Sequence, residues 1–128
     1  MTTSKAAAAA IAACLVLTGG GGIATGHDAR FDSRVRITGY IDNASFLGRV
    51  ASDRKQCKRK RRVTVWRRNP GAMDAPVGTA KSNGKGNWAV SAPSAPSGRY
   101  FATAKKRVIK KAAHKHVCKR ARSKVFEL

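Results

Sequence analysis

From residue 34 onward, apolar and polar residues alternate one by one in short runs separated by turn formers. Val35 and Ile37 alternate with Arg34, Arg36 and Thr38, and Phe46, Gly48 and Val50 form the next such face. Residues 61–66 (RRVTVW) repeat the pattern with Val63 and Val65 inward. Shorter extended runs follow at 77–80, at 87–90 with Trp88 and Val90 on one face, and at 99–104 with Tyr100, Ala102 and Ala104 on one side. Near the end, Ala121, Ser123 and Val125 alternate with Arg120, Arg122 and Lys124. A period of two is the mark of a half-buried strand. Asp42-Asn43, Asn69-Pro70-Gly71 and the Pro/Ser stretch 91–98 break the runs. Asn83-Gly84-Lys85-Gly86 has the composition of a hairpin turn. The expectation is an all-β chain: an antiparallel β-sandwich of about seven strands. No strand leads into a long helical pattern, which argues against a parallel α/β sheet. No fixed-period repeat is present.

One segment departs from this pattern. Beyond Ala104, apolar residues recur at Val108, Ile109, Ala112, Ala113, Val117 and Ala121. Steps of four and five fit a basic amphipathic helix, and Lys, Arg and Ala favour helix intrinsically. A short basic helix near 104–117 is therefore one expectation. A long loop or hairpin is the other, and each is compatible with a sandwich.

The N-terminal stretch has a different character. Lys5 precedes an apolar run over residues 6–18, and four glycines follow. This is the layout of a secretory signal peptide. Ala24-Thr25-Gly26 places small residues at −3 and −1 of a cut before His27, giving a leader over 1–26. Ile11-Ala12-Ala13-Cys14 also resembles a lipobox that would acylate Cys14, although the apolar run continues past the cysteine to Leu17. The run falls short of the roughly 20 residues that span a bilayer. The organisation expected is a leader over 1–26, a short linker over 27–33 and a β-sandwich domain over 34–128, secreted or at the cell surface.

With Cys14 removed, Cys57 and Cys118 remain. An even cysteine count in an exported chain implies a disulfide. A domain of about 100 residues buries only roughly 60–65% of its unfolded surface, so a covalent staple matters to it. Closing this loop restricts the unfolded chain by about 4 kcal/mol in the chain-entropy treatment.

The order of these pieces resembles the small exported β-sandwiches of the carboxypeptidase regulatory-like and transthyretin-like (prealbumin-like) group. The matching segments are 46–52 (FLGRVAS), Cys57 with 62–65 (RVTV), 77–80 (VGTA) leading through Gly86-Asn87-Trp88 to 98–102 (GRYFA), and Cys118 followed by Ala121 and Ser123. The resemblance covers roughly residues 34–126. It implies a non-catalytic accessory module. The heavy positive charge is not part of that family's pattern.

Charge is what distinguishes the chain. It has 27 Lys and Arg against 6 Asp and Glu, a formal +21, and the leader would remove only Lys5. Nine bases fall within 54–68 and ten within 105–124, and both stretches are free of acids. A Cys57–Cys118 bridge would join them into one positive surface. Such a surface repels itself until a polyanion neutralises it, with steep salt dependence. The residues expected to contact a polyanion are Lys58, Arg59, Lys60, Arg61, Arg62, Arg67, Arg68, Lys119, Arg120 and Arg122. Cell-wall polymers, acidic polysaccharide and extracellular nucleic acid are the partners considered. The blander explanation is a generally basic protein whose charge serves solubility.

Other chemistries find little support. Lys58 to Arg62 (KRKRR) matches a nuclear-localisation pattern, as any dense basic run does, and the leader argues against it. His114, His116 and Cys118 would share one face of a strand, but a disulfide consumes the thiol and neighbouring Lys and Arg repel a cation, so no metal or other cofactor is expected. No Gly-x-Ser-x-Gly elbow occurs, and Gly84-Lys85-Gly86 lacks the spacing of a phosphate loop. Asp28, Asp32, Asp42, Asp53, Asp74 and Glu127 are placed as turn or terminal residues, not as an acid/base pair. Trp88 and Tyr100 read as core. Trp66, of opposite parity to Val63 and Val65, reads as an exposed ring beside Arg67 and Arg68, open to a stacking or sugar contact. The function expected is a non-catalytic exported binding or structural module with a strongly basic face. The alternative is a small basic nucleic-acid-binding protein using a 104–122 helix.

Overall fold

The computed structural model describes residues 27–128. The expected leader, with its Cys14 alternative, lies outside the described residues. In chain order the elements are β1 (His27–Phe31), β2 (Arg34–Ile41), β3 (Ser45–Ala51), α1 (Lys55–Lys58), β4 (Arg62–Arg67), β5 (Ala75–Lys81), β6 (Asn87–Ser91), β7 (Arg99–Ala104), β8 (Arg107–Lys111), β9 (His114–Cys118), β10 (Ala121–Arg122) and β11 (Phe126–Glu127). They form three sheets. One has the order β2-β3-β6, the second β10-β7-β4-β5 with β11 also on β7, and the third β1-β9-β8.

The first two sheets make the sandwich. Inward residues of period two meet between them: Val35, Phe46 and Val50 from β2 and β3, Trp88 and Val90 from β6, and Val63, Val65, Tyr100, Ala102 and Ala104 from β4 and β7. Phe46 is fully buried, with the rings of Tyr40 and Tyr100 each 4.7 Å away and Phe126 at 6.2 Å. A fully buried aromatic of this kind contributes about 2–3 kcal/mol by area alone. Gly48 is required here: a Cβ would lie 2.0 Å from the Trp88 ring and 2.2 Å from the Arg36 carbonyl oxygen. The all-β sandwich of the sequence reading is thus observed, and its seven expected strands correspond to β2 to β7 and β10.

Three details differ. Residues 27–31, expected as linker, form β1, paired in parallel with β9. The turn at 83–86 is present, with Asn83 Oδ1 accepting the amides of Lys85 and Asn87 at 3.0 Å each. It is not a hairpin, because β5 and β6 belong to opposite sheets and the chain crosses the sandwich there. The strand expected over 121–125 is interrupted where Ser123 Oγ accepts the Ala102 amide at 2.8 Å, and pairing resumes as β11.

Of the two expectations near 104–117, the hairpin holds and the helix does not form. The segment is an antiparallel hairpin, β8 and β9, turning at Ala112 with φ 48°. The reason lies at its two ends. Arg107 and Cys118 are direct partners in the hairpin. Arg107 Nη1 donates to the carbonyls of Gln56 and Arg59, while Cys118 is bonded to Cys57. Both ends therefore meet the single turn of α1. A helix would hold them about 16 Å apart at its 1.5 Å rise. Tertiary anchoring overrides the Lys and Ala propensity.

Candidate polyanion-binding face

Cys57 and Cys118 are disulfide-bonded, with S–S 2.00 Å and Cα–Cα 5.4 Å, and both are fully buried. The bridge ties α1, with its exit Arg59-Lys60, to the β9–β10 connection Lys119-Arg120. The two acid-free basic segments do come together at this end of the fold.

Arg61 does not join their exposed surface. It is fully buried, and all five of its guanidinium N–H groups are used. Nε and Nη2 donate to the Lys105 carbonyl at 3.2 and 3.0 Å, Nη2 also to the Lys119 carbonyl at 2.8 Å, and Nη1 to Ser33 Oγ at 2.7 Å and the Cys57 carbonyl at 2.9 Å. Burial pushes its pKa down, and the neighbouring Arg107 charge adds to that shift. No carboxylate offsets the buried charge among these partners. Instead five charge-assisted hydrogen bonds replace its hydration, each of a kind that contributes about 1.5–3 kcal/mol when donor or acceptor is charged. Arg61 is therefore a clamp joining α1 to both ends of the β8–β9 hairpin, and its placement among polyanion contacts is corrected. The signal was present in the sequence: Arg61 has the inward parity of Val63 and Val65.

Arg67 and Arg68 are also displaced. β4 runs about 17 Å from Arg62 to Arg67 at the usual rise per residue. Arg67 Nη2 donates to the Ser97 carbonyl at 3.3 Å, and the Arg68 amide to the Arg99 carbonyl at 2.8 Å, so both lie at the end remote from the disulfide. Arg62 and Arg122 face outward on the larger sheet: Thr64 pairs with Thr103, which in turn pairs with Arg122. The Arg62 carbonyl accepts the Lys105 amide at 2.9 Å, next to the disulfide end. Lys58, Arg59, Lys60, Arg62, Lys119, Arg120 and Arg122 thus remain as one group of elements around the bridge.

Trp66 lies on the outer face of the same sheet but is half-buried, not fully exposed. Its indole N–H donates to Thr103 Oγ1 at 2.9 Å, and its ring stacks on Phe101 at 6.4 Å with 12° between planes. Arg122 lies over the Phe101 ring at 4.0 Å. Phe101 is only 4% exposed although its parity points outward, because Trp66 and Arg122 enclose it. These contacts hold Arg122 in place by a cation–π interaction.

The acids are scattered. Asp32 pairs with Lys119 at 3.0 Å and Glu127 with Arg99 at 3.4 Å, both in exposed positions. Asp74 Oδ1 accepts the Asn69 amide at 3.2 Å within a turn. His116 Nδ1 lies 2.6 Å from Gln56 Nε2, with the Phe31 ring edge-on at 5.5 Å, and the His114 ring is 6.5 Å from that of His116. Among the described residues no group of three or more His, Cys, Asp or Glu side chains is placed to hold a metal ion, and no helix is long and apolar enough to cross a membrane. Three cations that sequence reasoning passed over, Arg34, Arg36 and Arg49, line a concavity together with Lys58. The signal for two of them was their alternation with Val35 and Ile37.

Compared with known protein families, the chain matches no family model, and no curated protein matches its sequence.

Proposed function

We propose that the protein is a non-catalytic exported module that binds an anionic polymer at or outside the cell surface. The observation that carries this reading is the covalent junction of α1 with the β9–β10 connection, which gathers cations from two acid-free segments at one end of a sandwich. A disulfide fits an oxidising compartment, and export would provide one. The resemblance to exported regulatory-like sandwiches supports an accessory role without catalysis. Cell-wall polymers, acidic polysaccharide and extracellular nucleic acid all offer the required repeated negative charge. The rival built on a 104–122 recognition helix loses its helix to β8 and β9.

Chromatography on immobilised heparin with a salt gradient tests the reading. The oxidised protein is expected to elute at higher salt than a scrambled chain of the same charge. Elution no later than that control removes any role for the arrangement of the charges.

A further inference from the structure

We propose that the concavity lined by Arg34, Arg36, Arg49 and Lys58 seats a tetrahedral oxyanion, a phosphate or sulfate group carried by an anionic polymer. This deepens the polyanion reading and rests on it only for the polymer; the free anion tests the seat by itself.

Arg36 and Arg49 are direct partners across the β2–β3 pair, so both stand on the outer face of that sheet, and Arg34 follows two residues along on the same face. Like charges set directly opposite one another in a sheet are destabilising. Several arginines elsewhere in the molecule have side-chain partners: Arg61 and Arg107 on carbonyls, Arg122 and Arg54 on aromatic rings, Arg99 on Glu127. Among the described residues, the guanidinium groups of Arg34, Arg36 and Arg49 have no such partner. They repel one another and line a hollow of about 490 Å³ whose lining contains no acid.

The fourth cation is well anchored. The Lys58 carbonyl accepts the Ser82 hydroxyl, and a Cβ on Gly86 (φ 88°) would lie 3.4 Å from Lys58 Cβ and 2.2 Å from the Val50 carbonyl oxygen. The turn at Gly86 therefore packs closely on Lys58, whose position is also fixed by its neighbour Cys57. Ser52, buried in the wall, is tied to the chain on both sides, donating to the Asp32 carbonyl at 3.0 Å and accepting the Arg54 amide at 3.3 Å.

The donor set decides the ligand. A carboxylate is planar and is satisfied by a single guanidinium fork. A phosphate or sulfate presents oxygens in several directions, and guanidinium forks match pairs of them. Three forks and one ammonium from three elements suit a tetrahedral anion better than a planar one. The volume falls in the range of small-molecule sites, about 300–1,000 Å³, leaving room for the group and its flanking residue of polymer. Lys58 also belongs to the face around the disulfide, so a bound polymer would run from one into the other.

The test is titration of the disulfide-bonded protein with inorganic phosphate and, separately, with sulfate, against acetate and chloride at constant ionic strength. Backbone amide shifts and melting temperature are the readouts. Phosphate or sulfate is expected to shift the amides of 34–36 and 49–52 and to raise the melting temperature. Whichever binds tighter names the group. Arg36→Gln and Arg49→Gln should each weaken binding about tenfold, the loss expected of one charge-assisted contact. Without anion they should melt no lower than the parent, since they relieve repulsion. Lys81→Gln, on the other sheet, should bind as the parent does. Chloride or acetate acting equally well, or Arg36→Gln binding like Lys81→Gln, overturns the seat. If the seat fails while heparin retention persists, the polyanion reading stands without it. If the free anion binds but retention matches the scrambled control, the seat stands and the polymer falls.

Discussion

The sandwich around Phe46 and the ribbon β1-β9-β8 are both sheets, yet they bury very different surfaces. In the sandwich, Phe46, Val50, Val63 and Val65 are fully enclosed, and Val90 and Tyr100 are 1% exposed. In the ribbon, β8 buries none of its five residues, Val108 is 38% exposed, and β9 encloses only Val117 and Cys118. Apolar contact holds the first. Backbone pairing, one disulfide, the Arg61 clamp and the Arg107 contacts hold the second. A heavily cationic segment cannot build a core of its own. Three polar or covalent anchors let it be displayed on a strand pair with most of its charge outward.

The largest effect should come from removing the covalent anchor. Replacing both cysteines, Cys57→Ser with Cys118→Ser, is expected to cost about 4 kcal/mol, the chain-entropy value for a separation of 61 residues. Denaturant melts report the total. Amide hydrogen exchange should show β8 and β9 losing protection well before β3 and β4. Equal loss in both sheets would break the contrast drawn between them.

Next comes the clamp. Arg61→Leu leaves the carbonyls of Lys105, Lys119 and Cys57 without their donor and is expected to cost about 3 kcal/mol, by the penalty for unsatisfied buried groups. Arg61→Lys should recover little, because three donors on a point charge cannot replace a five-donor fork. Full recovery by lysine would mean that the charge alone matters.

A smaller effect belongs to the sandwich. Burial pushes the Tyr100 pKa above its ordinary value of 10.0; the Arg67 charge pulls the other way, and Tyr40 adds to the rise. Its hydroxyl also donates to the Pro96 carbonyl. The folded chain thus holds this proton more tightly than the unfolded one. The resulting stability is complete below pH 10 and is lost as pH climbs through the raised value. Lysines discharge in the same window, so Tyr100→Phe is the control, and it should show a shallower alkaline decline. An unchanged slope would remove Tyr100 from the explanation.

The legible parts of the sequence were those whose energetics are apolar. Period-two runs such as Val63-Thr64-Val65 announce a strand because one face must be buried, and Trp88 and Tyr100 were read as core for the same reason. The ribbon was not legible in this way. Residues 107–111 show no alternation, and their conformation follows from anchors at Arg107 and Cys118 that only the tertiary fold supplies. The cysteine pairing could be read from counting and context. The division of the cations could not: Arg61 turns inward, Arg67 and Arg68 go to the far end of β4, and Arg36 meets Arg49 only through the register of β2 and β3. Composition reports how much charge there is. Register and parity decide which of it faces a ligand.

The most direct test of a single gathered face is the salt dependence of binding to a short DNA duplex, used as a generic phosphate polymer, with the disulfide intact throughout. Arg59 and Lys60 are changed to Gln in one variant, Lys119 and Arg120 in a second, and all four in a third. If both segments contact the same polymer, each pair should lower the slope of log K against log salt by about 2 and the four together by about 4, at roughly 0.9 per phosphate contact. A slope that responds to one pair and is indifferent to the other would mean that the bridge does not bring the two segments to a common ligand.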